Sequence, residues 1–269
     1  MRVALACAAL VAASAASARE QPAELQQTVQ QGQLVIAHTR PGNRVEFDGR
    51  AVHVGTDGVY VFGIERDAKT ATVVVHEPGR PARTHALTVK PRDYKIERVD
   101  GLPQHTVTPD PELARRIAEE QARVVAARQR DDDREDFLHG FARPAQGGRI
   151  SGVYGSQRID NGTPKAPHMG LDIAVPTGTP VRAPAGGIVT FAETGLVLTG
   201  GTVLIDHGHG LSSSFLHLSR IDVKTGDRVE RGQVFGAAGA TGRASGPHVH
   251  WGFNWFDVRL DPALLPPSR

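Results

Sequence analysis

The chain has 269 residues, which is enough for one large domain or two smaller ones with a hydrophobic core. Its 31 Lys and Arg residues nearly balance 29 Asp and Glu residues, and no block of like charge stands out. This balance excludes a strongly basic, nucleic-acid-binding protein. The single cysteine, Cys7, excludes a disulfide within the chain.

The N-terminal stretch "MRVALACAALVAASAASARE" is typical of a secretory signal peptide. Arg2 precedes a short apolar run, and Ala16-Ser17-Ala18 forms an A-x-A cleavage site. The apolar run is shorter than the roughly 20 residues that a membrane-spanning helix needs, and too few residues precede Cys7 for a lipoprotein signal. We therefore predict that residues 1–18 are removed, leaving a periplasmic or secreted protein with no stable membrane insertion.

The next part of the chain alternates polar turns with short β-branched runs. Residues 21–33 are polar and we expect them to be loose, whereas runs such as "LVIAHT" and "TATVVVHE" predict strands over 34–100. The turn dipeptides between the strands are Pro41-Gly42, Asp48-Gly49, Asp57-Gly58 and Pro78-Gly79. This spacing predicts a small immunoglobulin-like β-sandwich over 34–100. Its scattered histidines (His38, His53, His76 and His85) have no metal-like clustering, so surface or packing roles are expected.

A helix is predicted over 110–136. Asp110 is a suitable N-cap, Pro111 takes the first helical position, and Glu112 favours the positive end of the helix dipole. The apolar stripe is partial, so we expect a mostly exposed connecting helix. The following sequence is rich in glycine and has no helical period, which predicts an all-β domain over 140–265. The predicted fold class is mainly β, with an antiparallel β domain preceded by the smaller β domain and the helix.

This second β domain holds most of the candidate chemistry. "PHMGLDIAVP" supplies His168 and Asp172, "SFLHLS" supplies His217, and "GPHVHWGF" supplies His248 and His250. In extended chain, residues two or four apart point to the same side, and glycine between His168 and Asp172 leaves space above the backbone. A catalytic zinc needs three ligands from His, Asp or Glu and one open position. His168, Asp172 and one of His248 and His250 meet that requirement, and the other imidazoles are available for proton transfer or oxyanion stabilisation.

Two competing interpretations come from the same region. "IDHGHG" contains a second H-x-H pair, but its glycines indicate a hairpin turn, so we expect His207 and His209 near the surface. "VKTGDRVERGQVFG" is similar to strands of lipoyl or biotinyl carrier domains. However, Lys224 lies before a turn without the flanking residues that such a carrier lysine requires, so the likeness indicates shared β architecture only.

Over 140–262 the sequence resembles the zinc metallopeptidases of the M23 family (lysostaphin/LytM type), which cut peptide bonds in peptidoglycan. The blocks that carry the resemblance are "HMGLDIAVPTGTPVRAPAGGIVT", "GGTVLIDHGHGLSSSFLHLS" and "GDRVERGQVFGAAGATGRASGPHVHWGF". The resemblance implies one Zn²⁺ held by His168, Asp172 and His250. It also implies that His217 and His248 flank the scissile carbonyl as general base or acid and as oxyanion stabiliser.

The resemblance implies an exported zinc endopeptidase acting on stem peptides or cross-links of peptidoglycan. The "HLS" block departs mildly from the family, since Phe215-Leu216 precede His217 where Tyr-Ala or Tyr-Gly is common. An alternative is a catalytically silent module that activates or recruits another cell-wall hydrolase, as relatives that lost ligands do. The N-terminal domain is also a candidate docking site for a protein regulator.

Overall fold

A computed structural model describes residues 25–99, 110–160 and 162–268. The described chain is mainly β with one long helix, and most strand pairs are antiparallel, which confirms the predicted fold class. The predicted signal segment, residues 1–18, lies outside the described residues. Within the described part of the chain, no helix combines the length and apolarity needed to cross a membrane.

Seven of the eight N-terminal strands form two small sheets, and the eighth pairs with a later strand. Their bounds are β1 Thr28–Gln30, β2 Leu34–His38, β3 Arg44–Phe47, β4 Arg50–Val52, β5 Val59–Gly63, β6 Ala71–His76, β7 Arg83–Lys90 and β8 Ile96–Val99. One sheet has the order β1-β7-β6-β3-β4, and β2 pairs with β5 in the other. Phe47 and Phe62 stack between the two sheets with ring centroids 4.3 Å apart. An immunoglobulin-like arrangement is not confirmed, because β1 runs parallel to β7 and the second sheet has two strands.

The turn dipeptides lie where the sequence predicts them. Asp48 and Gly49 join β3 to β4 in a two-residue hairpin with φ of 46° and 80°, and Phe47 pairs with Arg50. A turn with two positive φ angles matches the twist of the flanking strands, and Asp-Gly tolerates it. The loose segment predicted over 21–33 is wrong in part. Thr28–Gln30 forms β1, because its backbone completes the free edge of β7.

The connecting helix, α1, spans Pro111–Ala127. Asp110 is the N-cap, and its Oδ1 accepts a hydrogen bond of 3.0 Å from the backbone N–H of Leu113, as predicted. The helix ends nine residues before the predicted position 136. Beyond its C-cap, Arg134 bonds to both Asp132 and Asp136, and these local ion pairs favour a turn-rich chain over continued helix.

The remaining strands build the larger sheet and two smaller ones. Their bounds are β9 Arg149–Gly152, β10 Gln157–Asp160, β11 Thr163–Pro164, β12 Leu171–Ala174, β13 Pro180–Arg182, β14 Gly187–Leu196, β15 Gly200–Gly208, β16 Leu211–Leu218, β17 Arg220–Ile221, β18 Arg228–Val229, β19 Val234–Ala237, β20 Val249–Trp255 and β21 Val258–Leu260. The larger sheet has the order β18-β14-β15-β16-β20-β12-β9, with β21 beside β20. A 3-10 turn, Pro262–Leu264, follows β21. The smaller sheets are β13-β19-β17 and β11-β10-β8.

The larger sheet presents one face to the core and the other to the candidate site. In β20, Val249, Trp251 and Phe253 are buried at 0–4% exposure, as their alternation predicts. Burying such a side chain contributes about 1.5–3 kcal/mol. The same core continues into the N-terminal sheets, where Phe47 packs edge-on against Trp255 with centroids 5.9 Å apart. This packing fixes β20 in place, and His250 lies within β20 while His248 immediately precedes it.

Candidate metal centre and active site

Strand pairing brings two of the predicted ligands together. β12 and β20 are antiparallel neighbours, and Asp172 lies directly opposite His250. Directly opposed residues of a pair point to the same face of the sheet. His168 lies four residues before Asp172, and its backbone N–H bonds to the carbonyl of Ser156 at 2.7 Å, which brings it over the same face.

Three donor atoms form a compact triangle at this position. His168 Nε2 lies 3.1 Å from Asp172 Oδ1 and 3.0 Å from His250 Nδ1, and His250 Nδ1 lies 2.8 Å from Asp172 Oδ1. Three ligands of a tetrahedral zinc, each about 2.0–2.1 Å from the metal, lie about 3.3 Å from one another. Two imidazoles and one carboxylate at this spacing therefore fit a divalent zinc ion. Among the described residues, this is the group of histidine and carboxylate ligands that could hold a metal.

Local hydrogen bonds orient the three groups toward one another. His168 Nδ1 donates to the carbonyl of Val153 at 3.0 Å, which turns Nε2 toward Asp172. Burial opposes ionisation of Asp172, but hydrogen bonds from His168 and His250 prevail and hold the pKa of its carboxyl well below the usual range. Burial lowers the pKa of His250 to about 4, so this imidazole is neutral at neutral pH.

His217 approaches the same centre from the end of β16. It has φ of 64°, a left-handed conformation that is uncommon outside glycine and is often found where function requires it. Its Nδ1 donates to the carbonyl of Thr241 at 2.8 Å, so Nε2 is the basic nitrogen. Burial lowers the pKa of His217, which favours the neutral imidazole that a general base requires.

His248 stands beside His217 with their ring centroids 4.7 Å apart. Its Nδ1 donates to the carbonyl of Gly246 at 2.8 Å, and its backbone N–H bonds to the carbonyl of Gly239 at 3.0 Å. The Nε2 atom of His248 lies 3.8 Å from Asp172 Oδ1, farther than the donor atoms of His168 and His250. The structure therefore brings together all five sequence-predicted side chains, with three in the triangle and two beside it.

The hydrogen-bond acceptors that orient the imidazoles are backbone carbonyls, which the sequence did not predict. Backbone carbonyls of Val153, Thr241 and Gly246 each accept a hydrogen bond from one histidine Nδ1. Thr241 is itself held by its Oγ1, which donates to the carbonyl of Leu218 at 2.9 Å. The glycine-rich run "GAAGATGRASG" indicates an irregular loop here. Which carbonyls face the site depends on tertiary contacts that the sequence pattern does not contain.

The prediction that His207 and His209 lie near the surface is wrong. The hairpin turn itself is present, with φ of 51° at His209, but both side chains have 0% exposure. The segment after α1 covers the turn, since the carbonyl of Asp132 accepts from the backbone N–H of His209. His53, which follows β4, packs against His209 with ring centroids 4.2 Å apart and the rings tilted by 35°. Contacts between segments distant in sequence therefore bury a turn that looks exposed by composition.

His207 points to the core face, away from the triangle. Its Nδ1 donates to the carbonyl of Gly186 at 2.6 Å, and its Nε2 accepts from Ser213 Oγ at 2.9 Å. Burial lowers the pKa of His207 to about 4, so the neutral ring with both nitrogens bonded is the stable form. His207 therefore has a structural role in the core.

The helix α1 lies over the face of the sheet that carries the triangle. Glu120 Oε2 accepts from the backbone N–H of Val197 at 2.8 Å, and Arg116 donates to the carbonyl of Gly195 at 2.9 Å. Val124 packs against Phe191 and its neighbours. Between helix and sheet lies a cavity of about 280 Å³ that reaches His250. The helix thus forms one wall of a pocket beside the candidate centre.

Comparison with known proteins gives a consistent result. The profile of "Peptidase family M23" matches residues 166–262. The peptidoglycan DD-endopeptidase ShyA of Vibrio cholerae is 42% identical over 104 residues, or 38% of this chain and 24% of ShyA. ShyC of the same organism, also a peptidoglycan DD-endopeptidase, is 38% identical over 119 residues, or 44% of this chain and 27% of ShyC. The alignments thus span about a quarter of these curated relatives.

A solved structure extends the similarity to most of the chain. A candidate M23 peptidase from Pseudomonas aeruginosa is 33% identical, with a TM-score of 0.66, and the alignment covers 87% of this chain and 93% of that one. The similarity therefore includes the N-terminal sheets as well as the site domain. Together with the profile match over the residues that carry the triangle, it shows that the chain belongs to peptidase family M23.

Proposed function

We propose that the protein is a zinc-dependent endopeptidase that hydrolyses peptide bonds in the stem peptides or cross-links of peptidoglycan. The observation that carries this proposal is the donor triangle of His168, Asp172 and His250 beside the paired imidazoles of His217 and His248. The substrate class is supported by the two DD-endopeptidase relatives, which are named for action on peptidoglycan. A cross-link between D-Ala and diaminopimelate is the preferred bond.

The metal ligands in this proposal are His168 Nε2, Asp172 Oδ1 and His250 Nδ1. Bound zinc supplies Lewis-acid activation of water and of a carbonyl group. With three ligands from the protein, one position stays open, and a fourth protein ligand would displace the activated water. His248 is therefore assigned to the substrate and not to the metal.

The two other imidazoles carry the proton transfers. His217 Nε2, neutral because burial lowers the pKa, accepts a proton from the attacking water. The water oxygen forms a bond to the amide carbon, and the C–N bond then breaks. The proton on His217 passes to the leaving amine, so the base is restored. His248 Nε2, when protonated, donates a hydrogen bond to the oxyanion.

Export and location belong to the same proposal. Peptidoglycan lies in the cell envelope, so a chain acting on it must leave the cytoplasm, and residues 1–18 match a cleavable signal peptide. The N-terminal sheets remain a predicted docking site for a protein regulator, and the domain limits 34–100 and 140–265 remain predictions. The silent-module alternative is not favoured, because all five side chains needed for hydrolysis are present and close together.

The test is digestion of purified muropeptide dimers by the whole chain, followed by separation of the products. We expect monomers to form, no cleavage after complete removal of metal by a chelator, and recovery when Zn²⁺ is restored. Cleavage by the metal-free protein would contradict the zinc mechanism. Absence of cleavage by the zinc-loaded protein, with zinc bound at one ion per chain, would favour the silent module.

A further inference from the structure

The cavity between α1 and the larger sheet contains a positive charge that has no counterion among the described residues. Arg128, the C-cap of α1, lines this cavity and is only 6% exposed. Its Nε atom is buried and has no hydrogen-bond partner among the described residues. Burying an unpaired guanidinium is costly, so such a group usually has an anion beside it.

A second arginine faces the same cavity. Arg259, in β21, lines the pocket with Arg128 and His250. Its Nη1 atom lies 3.5 Å from the amide oxygen of Asn254, which is a neutral group. Burial and the charge of Arg259 lower the pKa of Arg128 to about 9, and burial lowers the pKa of Arg259 as well. Both guanidiniums still carry charge at neutral pH, so two positive charges share one pocket.

The carboxylates near this pocket are already engaged. Glu120 lines the cavity, but its Oε1 accepts from Arg116 at 2.9 Å and its Oε2 from the backbone of Val197. Asp206, which lies opposite Ser212 in the same sheet, pairs with Arg134 and lies 3.4 Å from Arg130. Neither acid therefore neutralises Arg128 or Arg259.

Further donors near the pocket also lack partners. Asn254 lies opposite Arg259 in the β20–β21 pair and opposite Ser212 in the β16–β20 pair. The Nδ2 atom of Asn254 and the Oγ atom of Ser212 are buried without a hydrogen-bond partner among the described residues. An anion in this region would meet an excess of hydrogen-bond donors. Ile117, Val124 and Leu196 give the same pocket an apolar wall.

We propose that Arg128 and Arg259 form a subsite for a free carboxylate of the substrate peptide, next to the metal centre. This inference rests on the proposed function, which makes the substrate a peptidoglycan stem peptide. A planar guanidinium binds a carboxylate through two parallel hydrogen bonds, and the apolar wall suits the aliphatic part of the same residue. Because the pocket reaches His250, a carboxylate anchored there would position the neighbouring amide at the centre.

The test measures binding without hydrolysis. The whole chain, loaded with Zn²⁺ and carrying His217→Ala to stop turnover, is titrated calorimetrically with a D-Ala-terminated stem peptide. It is titrated in parallel with the same peptide amidated at its C-terminus or at its side-chain carboxylate. We expect one amidation to weaken binding about 10- to 100-fold, since hydrogen bonds between charged groups are strong. That difference should disappear in Arg128→Gln and shrink in Arg259→Gln.

Arg115→Gln is the matched control, because Arg115 lies on the exposed side of α1 and pairs with Glu119 outside the cavity. It should keep the full preference for the free carboxylate. Arg128→Gln should also keep or raise the melting temperature, because it removes an unpaired buried charge. Equal binding of all three peptides, or a preference that survives both arginine variants, would overturn the subsite.

Assays on the chain without the His217→Ala substitution distinguish a failure of this inference from a failure of the proposed function. If the dimers are cleaved but amidation leaves both binding and KM unchanged, the subsite is wrong and the endopeptidase stands. If the acid peptide binds better through Arg128 and no dimer is cleaved, the subsite stands and the proposed hydrolysis is wrong.

Discussion

Gly170 lies beneath the imidazole of His250, so close that a Cβ atom at this position would come within 2.5 Å of Nε2 and 2.6 Å of Cε1. The backbone carbonyl oxygen of Trp251 would lie 2.7 Å from the same Cβ atom, so a side chain here would also clash with the backbone of the neighbouring strand. The absence of a side chain at residue 170 is therefore a requirement of the position that His250 takes in the donor triangle. The glycine between His168 and Asp172 has the role that the sequence predicts for it.

Gly170→Ala should weaken metal binding. The methyl group would displace the His250 ring from the triangle, and displaced or badly oriented ligands cost about 10- to 100-fold in metal affinity. Competition with a coloured chelator measures the zinc affinity. Gly246→Ala is the control, because a Cβ at Gly246 meets nothing within 4 Å and its φ is not positive. Equal zinc affinity in Gly170→Ala and the unmodified chain would show that His250 is not a ligand.

Acid should destabilise the fold through His207. Its pKa is about 4 in the folded protein and about 6.5 when unfolded, so the unfolded chain takes up a proton first as pH falls. The stability that the neutral ring provides is therefore complete above pH 6.5 and is lost progressively toward pH 4. Between pH 7 and pH 5, protonation of His207 in the unfolded chain lowers the free energy of unfolding by about 2 kcal/mol.

Urea unfolding at several pH values measures this effect. His207→Gln should have a lower free energy of unfolding than the unmodified chain at pH 7. Between pH 7 and pH 5, however, its free energy of unfolding should fall by about 2 kcal/mol less than that of the unmodified chain. His139→Gln, at an exposed position, should leave the acid dependence unchanged. An unaltered acid dependence in His207→Gln would mean that other groups dominate it.

Arg134→Ala should destabilise the protein by about 3 kcal/mol, because it leaves a buried carboxylate without its main partner. Arg134 pairs with Asp206, which is 2% exposed, and also bonds to Asp132 and Asp136. Arg115→Ala, which removes an exposed pair with Glu119, should cost less than 1 kcal/mol. Thermal or urea unfolding compares the two. If both variants lose the same small amount of free energy of unfolding, Arg130 takes the place of Arg134 beside Asp206.

The strands, the turns and the five candidate site residues are each marked by local pattern in the sequence, and the structure brings the five side chains together. Asp48-Gly49 marks a hairpin through its backbone preference, and Asp110 with Pro111 marks the start of α1 through the capping of free N–H groups. Contacts between segments that are distant in the sequence leave no such local pattern. The end of α1, the burial of His209 and the lack of a described partner for Arg128 Nε all depend on which segments meet in three dimensions.

The proposed active site is tested most directly by measuring zinc content and dimer cleavage on the same samples of His250→Ala and His248→Ala. His250 Nδ1 belongs to the donor triangle, whereas His248 Nε2 lies 3.8 Å from Asp172. The predicted result is that His250→Ala loses zinc and activity together, while His248→Ala keeps most of its zinc and loses turnover. Equal loss of zinc in both variants would contradict the division between ligand and substrate-facing histidine.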